Sequence, residues 1–257
     1  MNLFFHSIFL ALRHLRQLAR QPWWIAITLV QPIVWLIFYG QLFKRVVELP
    51  GFNATSYISF VTPGIVVMSA LFAGGWNGMG ILFEMESGVM DRFLVSPVSR
   101  VALIAGRLIQ MAVIIIIQSL ILLGLGFLTG ARFSGGLAGI CVLMASAILL
   151  AVPFGALSNA MALVLRRRES VIGASNFVLL PLTFLSPVFM AKNLMPDWIR
   201  AVSRFNPVNW SVEAAREAFN VHPDWTLVLT RVGLLLMFTL ASAWLATRAF
   251  RAYQRAA

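Results

Sequence analysis

Leu108-Ile109-Gln110-Met111-Ala112-Val113-Ile114-Ile115-Ile116-Ile117-Gln118-Ser119-Leu120-Ile121-Leu122-Leu123-Gly124-Leu125-Gly126-Phe127-Leu128 settles the fold class. No side chain in this stretch is charged, and the Ile114–Ile117 run shows no alternation of polarity. A helix needs about 20 residues to cross the hydrocarbon of a bilayer. A spanning strand needs only about 10 and alternates inward and outward residues. The stretch therefore predicts a transmembrane helix. Working outward, the same signal repeats. Residues 21–43, 49–83, 133–165 and 170–191 are also free of charge, and 225–247 is interrupted only by Arg231. Across the 257 residues, 60% are hydrophobic and 11% charged, with a mean hydropathy of +0.87. Soluble globular domains do not have this composition. The expected architecture is an all-α integral membrane protein in one transmembrane domain, 1–257. Its six spans fall at roughly 23–43, 58–83, 104–129, 137–165, 170–190 and 225–247.

Lys and Arg set the orientation of such a chain. An even number of spans puts both termini on one side. That side gathers Arg13, Arg16, Arg20, Arg92, Arg100, Arg107, Arg166, Arg167, Arg168, Arg248, Arg251 and Arg255, which are 12 of the 20 basic residues. Both termini and the 84–100 loop are therefore expected in the cytoplasm. The net charge of +11 follows from topology. The arginines sit at span ends and do not form a patch with stacking aromatics, so no nucleic-acid partner is expected. Cys141 is alone, which leaves no disulfide framework to read.

Residues 1–22 read as an interfacial helix. Phe5, Ile8, Leu12, Leu15 and Ala19 share one face, with Arg13, Arg16 and Arg20 on another. Residues 192–224 are apolar for an outer loop. Pro196 can open a helix carrying Trp198, Ile199, Val202 and Phe205, and Asn206-Pro207 is a helix-start signal. A re-entrant hairpin in the outer leaflet fits, as does a hairpin lying on the surface. Gly74/Gly78, Gly126/Gly130 and Gly135/Gly139 have the four-residue spacing of close helix packing in lipid. Asn77 is a polar side chain at membrane depth, which calls for a partner or a wet path. Arg231, about one turn inside the last span, is expected to snorkel outward.

Several chemistries are excluded. Lys44 and Lys192 are the only lysines, and neither stands in a phosphate-cradling G-x-x-x-x-G-K-[ST] loop. His6, His14 and His222 are scattered and lie outside the spans, so neither a zinc protease nor an activated serine is expected. None of the nine acids lies inside a span. Proton- and sodium-coupled carriers generally need one there. If the protein transports, energy enters from outside the bilayer. The natural inlet is Glu84-Met85-Glu86-Ser87-Gly88-Val89-Met90-Asp91-Arg92-Phe93-Leu94-Val95-Ser96-Pro97-Val98-Ser99-Arg100, a charged amphipathic insert between the second and third spans.

With that insert in place, the chain resembles the membrane subunits of type-2 ATP-binding-cassette (ABC) exporters, especially permeases of the daunorubicin-resistance and Nod-factor-export kind. The likeness rests on residues 86–107, Pro181-Leu182-Thr183-Phe184-Leu185-Ser186, Arg204-Phe205-Asn206-Pro207 and Pro63-Gly64-Ile65. It implies that 84–100 is a coupling helix seated on a separate nucleotide-binding ATPase subunit. Glu84, Glu86, Asp91 and Arg92 would pair with that subunit's charges, and Phe93 and Leu94 would anchor the contact. No cofactor is expected on this chain, because ATP and Mg would be bound by the partner subunit. A second permease copy, identical or paralogous, would complete a central pathway among membrane lipids. Trp76, Asn77, Asn176, Thr183, Phe184 and Phe189 are the residues nominated for that pathway. The resemblance implies a plasma (bacterial inner) membrane location and export of an amphipathic drug-like or lipid-like compound by alternating access. Export of a lipid-linked glycan or oligosaccharide remains a second reading. A non-transporting anchor that recruits a cytoplasmic partner is the alternative from another class.

Overall fold

The computed structural model describes Arg16 and residues 22–50, 52, 54, 56–88 and 100–256; the side chains of 22, 24, 25, 100–104 and 245–256 lie outside the description. The expected interfacial helix falls almost wholly outside the described residues, as do Asp91, Arg92, Phe93 and Leu94. Everything regular among the described residues is helical. The helices are α1 (Pro22–Leu42), α2 (Tyr57–Gly75), α3 (Met79–Glu86), α4 (Arg100–Leu128), α5 (Gly136–Leu165), α6 (Arg168–Phe184), α7 (Asp197–Ser203), α8 (Pro207–Ala218) and α9 (Trp225–Ala256). Short 3₁₀ turns occupy Lys44–Glu48 and Lys192–Leu194.

Among the described residues, Tyr57–Glu86, Ala105–Leu128, Gly136–Leu165 and Trp225–Trp244 are long and apolar enough to cross a membrane. Ala26–Leu42 is apolar but shorter. The centre of the bundle is the α2–α5 pair, with Val61, Ile65, Leu71, Leu143 and Leu150 all fully buried. Glycine lets these two helices touch. A Cβ on Gly74 would lie 2.5 Å from the Ala151 carbonyl oxygen, and one on Gly78 would overlap the Ser158 backbone. At the other end, Gly135 and Gly139 press on Ala218, the last residue of α8, and on Phe219 just after it. The four-residue spacings at 74/78 and 135/139 thus serve close packing. Gly130 instead sits at φ 99° with open space around it, in the turn after α4.

Two spans depart from expectation. The second does not run unbroken over 58–83. It stops at Gly75, turns through 76–78 and resumes as α3 up to Glu86. The fifth does not reach 190, because α6 ends at Phe184. Its exposed carbonyls have other partners. The Asn206 amide donates to the Leu182 and Leu185 oxygens at 2.7 and 2.9 Å. Arg216 takes those of Pro187 and Val188 at 2.6 and 2.8 Å. Backbone that has left a helix inside a membrane protein must be satisfied by protein, and here the α7–α8 hairpin satisfies it. Asn206 also caps α8 as the sequence signalled. Its side chain accepts from the Val208 N–H at 2.9 Å, with Pro207 at the first helical position.

Candidate functional site

The break in the second span frees backbone groups inside the bundle. After Gly75 the ladder shifts to tight bonds, Asn77 N–H to Gly74 O and Met79 N–H to Trp76 O, both 3.0 Å. The Gly75 carbonyl instead accepts the hydroxyls of Ser158 on α5 at 2.6 Å and Ser175 on α6 at 2.7 Å. Ser158 Oγ in turn accepts the Gly78 N–H at 3.0 Å. Asn77 donates its amide to Asn159 Oδ1 at 3.3 Å. Residues of α2, α5 and α6 and of the 76–78 turn therefore meet at one polar node, and both serines and Asn159 are buried. A short 3₁₀-like stretch inside a helix often marks a hinge. Here the partners lie on α5 and α6, so a movement of α3 would be felt by both.

At its far end α3 is pinned. Glu84 and Arg107, each 6% exposed, form an ion pair at 2.7 Å. Arg107 also donates to the Gly80 carbonyl at 2.7 Å. A side chain on Gly80 would collide with that guanidinium. Glu86 is exposed and holds Arg168 of α6 through a two-pronged bond. Hydrogen bonding first, and charge second, raise the Arg168 guanidinium above its ordinary value. Water screens an exposed pair of this kind, so it adds little to stability. Glu84, expected to face a partner, is turned inward by Arg107, whereas Glu86 remains on the surface. The stems of the 89–99 segment are thus clamped together by a buried pair.

The hairpin end has its own cluster. Arg216 donates to Phe60 O at 3.0 Å besides the Pro187 and Val188 carbonyls, and its guanidinium lies 3.5 Å from the centre of the Phe60 ring. Glu213 binds Lys192 at 2.8 Å and Arg231 at 2.7 Å. Arg231, expected to snorkel outward, reaches Glu213 of the hairpin and stays about a quarter exposed.

The nominated pathway residues are divided between levels. Trp76 and Asn77 form the break, with Trp76 partly exposed and edge-on to Phe72. Asn176 follows Ser175, so it lies at the same level. Thr183 is buried and bonds back to Leu179 O, while Phe184 is exposed at the end of α6. Phe189 stacks on Trp35 at 5.2 Å and lies 4.8 Å from Tyr39, and its carbonyl accepts the Tyr57 hydroxyl at 2.8 Å. Sequence reasoning missed Ser158, Asn159 and Arg216. Serine and asparagine within Leu157-Ser158-Asn159-Ala160, in an otherwise apolar helix, were the available signal.

Helices long and apolar enough to cross a membrane, one of them broken at a buried polar node, define a helical membrane protein. The chain belongs to the ABC-2 type transporter family, whose pattern matches residues 7–220. It is 28% identical to a ycf38 transport permease of Cyanophora paradoxa over 225 residues, covering 86% of this chain and 77% of that one. It is 28% identical to the daunorubicin resistance ABC transporter permease DrrB1 of Streptomyces coeruleorubidus over 188 residues, 73% of this chain and 65% of the relative. The inner membrane transport permease YadH of Escherichia coli K12 is 27% identical over 227 residues, 83% of each chain. This is the family the loop and hairpin resembled, and its permeases work with an ABC ATPase subunit.

The node gives a direct test. Alanine at Gly78 would force a methyl group into the Ser158 carbonyl and hydroxyl. A collision with backbone costs about 1–3 kcal/mol. Gly78→Ala is expected to lower the melting temperature of the purified protein and abolish transport, whereas Gly173→Ala, with open space around it, leaves both unchanged.

Proposed function

We propose that this chain is the membrane subunit of an ATP-driven exporter, which moves an amphipathic drug-like or lipid-like compound outward by alternating access. Six segments cross the bacterial inner membrane with both termini in the cytoplasm, and two copies, or this chain and a paralogue, enclose the pathway. The separate ATPase subunit binds ATP and Mg and grips the 84–100 loop through Glu86, Asp91, Arg92, Phe93 and Leu94. Glu84 supports that loop from within. One observation carries the reading: the polar break at 76–78 lies at one end of α3, and the buried Glu84–Arg107 pair at the other ties α3 to the loop stems. A push on the loop therefore reaches Trp76 and Asn77 through a single short helix. Asn176, Thr183, Phe184 and Phe189 continue the pathway toward the hairpin end. The apolar character of the spans suits an amphipathic cargo, as does the drug-resistance name of one relative.

The experiment is co-purification of the tagged chain from native membranes in mild detergent. A stoichiometric soluble subunit with a Walker A sequence is expected. Phe93→Ala, Glu86→Lys and Asp91→Lys should each cut its recovery about tenfold or more, the scale of a buried anchor at an interface, while the chain stays in the membrane. Undiminished recovery in all three variants refutes the coupling role. A partner without a nucleotide site favours an anchor.

A further inference from the structure

A cavity of about 140 Å³ opens at the hairpin end, where α1 finishes and α2 begins. Gly40, Gln41, Lys44, Ser56, Tyr57, Ile58 and Thr129 line it. Two of its polar groups are occupied. The Tyr57 hydroxyl donates to Phe189 O, and the Thr129 hydroxyl lies at 2.9 and 3.0 Å from the Leu125 and Gly126 carbonyls. The ammonium of Lys44 and the amide of Gln41, both exposed, and the hydroxyl of half-buried Ser56 have no side-chain partner among the described residues. No described carboxylate comes within ion-pair distance of Lys44. Ser56 stands at the N-cap of α2, where a serine normally bonds the first turn, yet its side chain makes no capping bond. A cation, an amide and a free hydroxyl thus converge on a space with no acid in it.

The surroundings say which anion would enter. Lys44 lies two residues beyond the end of apolar α1, where a chain leaving the hydrocarbon would meet lipid phosphates. Below the cavity, Phe38 and Leu42 of α1 and Phe127 and Leu128 of α4 are exposed, Leu128 at 80%. We propose that this cavity is a binding site for an anionic glycerophospholipid. Its phosphodiester sits against Lys44 and Ser56, Gln41 contacts the polar headgroup, and the acyl chains run along Phe38, Leu42, Phe127 and Leu128. A cation beside exposed apolar helix faces matches the phosphodiester and the acyl chains of such a lipid. The site is distinct from the transport pathway and does not depend on the exporter reading.

The test is native mass spectrometry of the full chain in detergent, titrated with dioleoylphosphatidylglycerol, with dioleoylphosphatidylcholine or with inorganic phosphate. Saturable binding of phosphatidylglycerol is expected, stronger than that of phosphatidylcholine. Lys44→Gln should weaken it about fivefold, the effect of one basic residue near anionic lipid. Arg45→Gln, an exposed neighbour outside the lining, should change it less than about twofold on the same scale. Ser56→Trp, which fills the space, should abolish it. Equal affinity in wild type and Lys44→Gln overturns the site. So does an Arg45→Gln loss as large as that of Lys44→Gln, which would mean diffuse surface charge. Displacement of the lipid by inorganic phosphate would show that a free anion is the ligand and likewise overturns it. Both Lys44→Gln and Arg45→Gln exchange exposed side chains, so they decide the matter even if Ser56→Trp misfolds.

Discussion

Replacing Arg107 with alanine is expected to destabilise the protein by about 3–5 kcal/mol, the cost of breaking a buried ion pair from one side. The substitution strips Glu84 of a guanidinium at 2.7 Å and frees the Gly80 carbonyl it covers. Glu84→Ala should act in the same direction by leaving Arg107 without its carboxylate. The exchange Glu84→Arg with Arg107→Glu should recover part of the loss, because attraction is restored while the Gly80 contact is not. Thermal unfolding of the purified chain reads the stability. Transport per ATP hydrolysed, in the complex with its ATPase, separates a positioning role from simple destabilisation. A milder variant, Glu84→Gln, should leave ATP hydrolysis running while export falls, since α3 is then tethered less firmly to the loop stems. An unchanged melting temperature in Arg107→Ala, or an unchanged transport-to-hydrolysis ratio in Glu84→Gln, would contradict the role given to the pair.

The second large effect is expected at Arg216. This side chain satisfies the carbonyls of Phe60, Pro187 and Val188 and covers the Phe60 ring. Hydrogen bonds to a charged group contribute about 1.5–3 kcal/mol each and do not add fully. Arg216→Ala should therefore cost about 3–5 kcal/mol, with backbone acceptors left bare. Arg216→Lys keeps the charge, but a single ammonium cannot match a planar fork spread over this many acceptors. It should lose about half as much. Hydrogen exchange is the sharper readout, since residues 185–191 and the first turn of α8 should lose protection ahead of α5. Protection that stayed intact in Arg216→Ala would mean that Asn206 alone holds the hairpin.

These sites differ in how legible they were. The span assignments needed only charge-free length, and α1, α4, α5 and α9 begin within a few residues of the expected positions. Asn206-Pro207 marked the start of α8 because capping is local: a side chain bonds an N–H two residues away. The break at 76–78 was visible only as a glycine-rich patch with a suspect asparagine. Its reality depends on Ser158 and Ser175, far along the chain, whose hydroxyls could equally have bonded their own helix as Ser119 and Thr183 do.

Hydropathy and charge placement determined a helical membrane protein with a charged insert, because the cost of burying charge or bare backbone in hydrocarbon acts on each segment separately. Only the tertiary structure decided that the second span breaks, that Glu84 faces Arg107 and not the surface, and that Arg231 pairs with Glu213. Each of those is a choice of partner among residues distant in sequence. Partner choice is set by which helices the glycines allow to meet, and a single strand of sequence does not specify that.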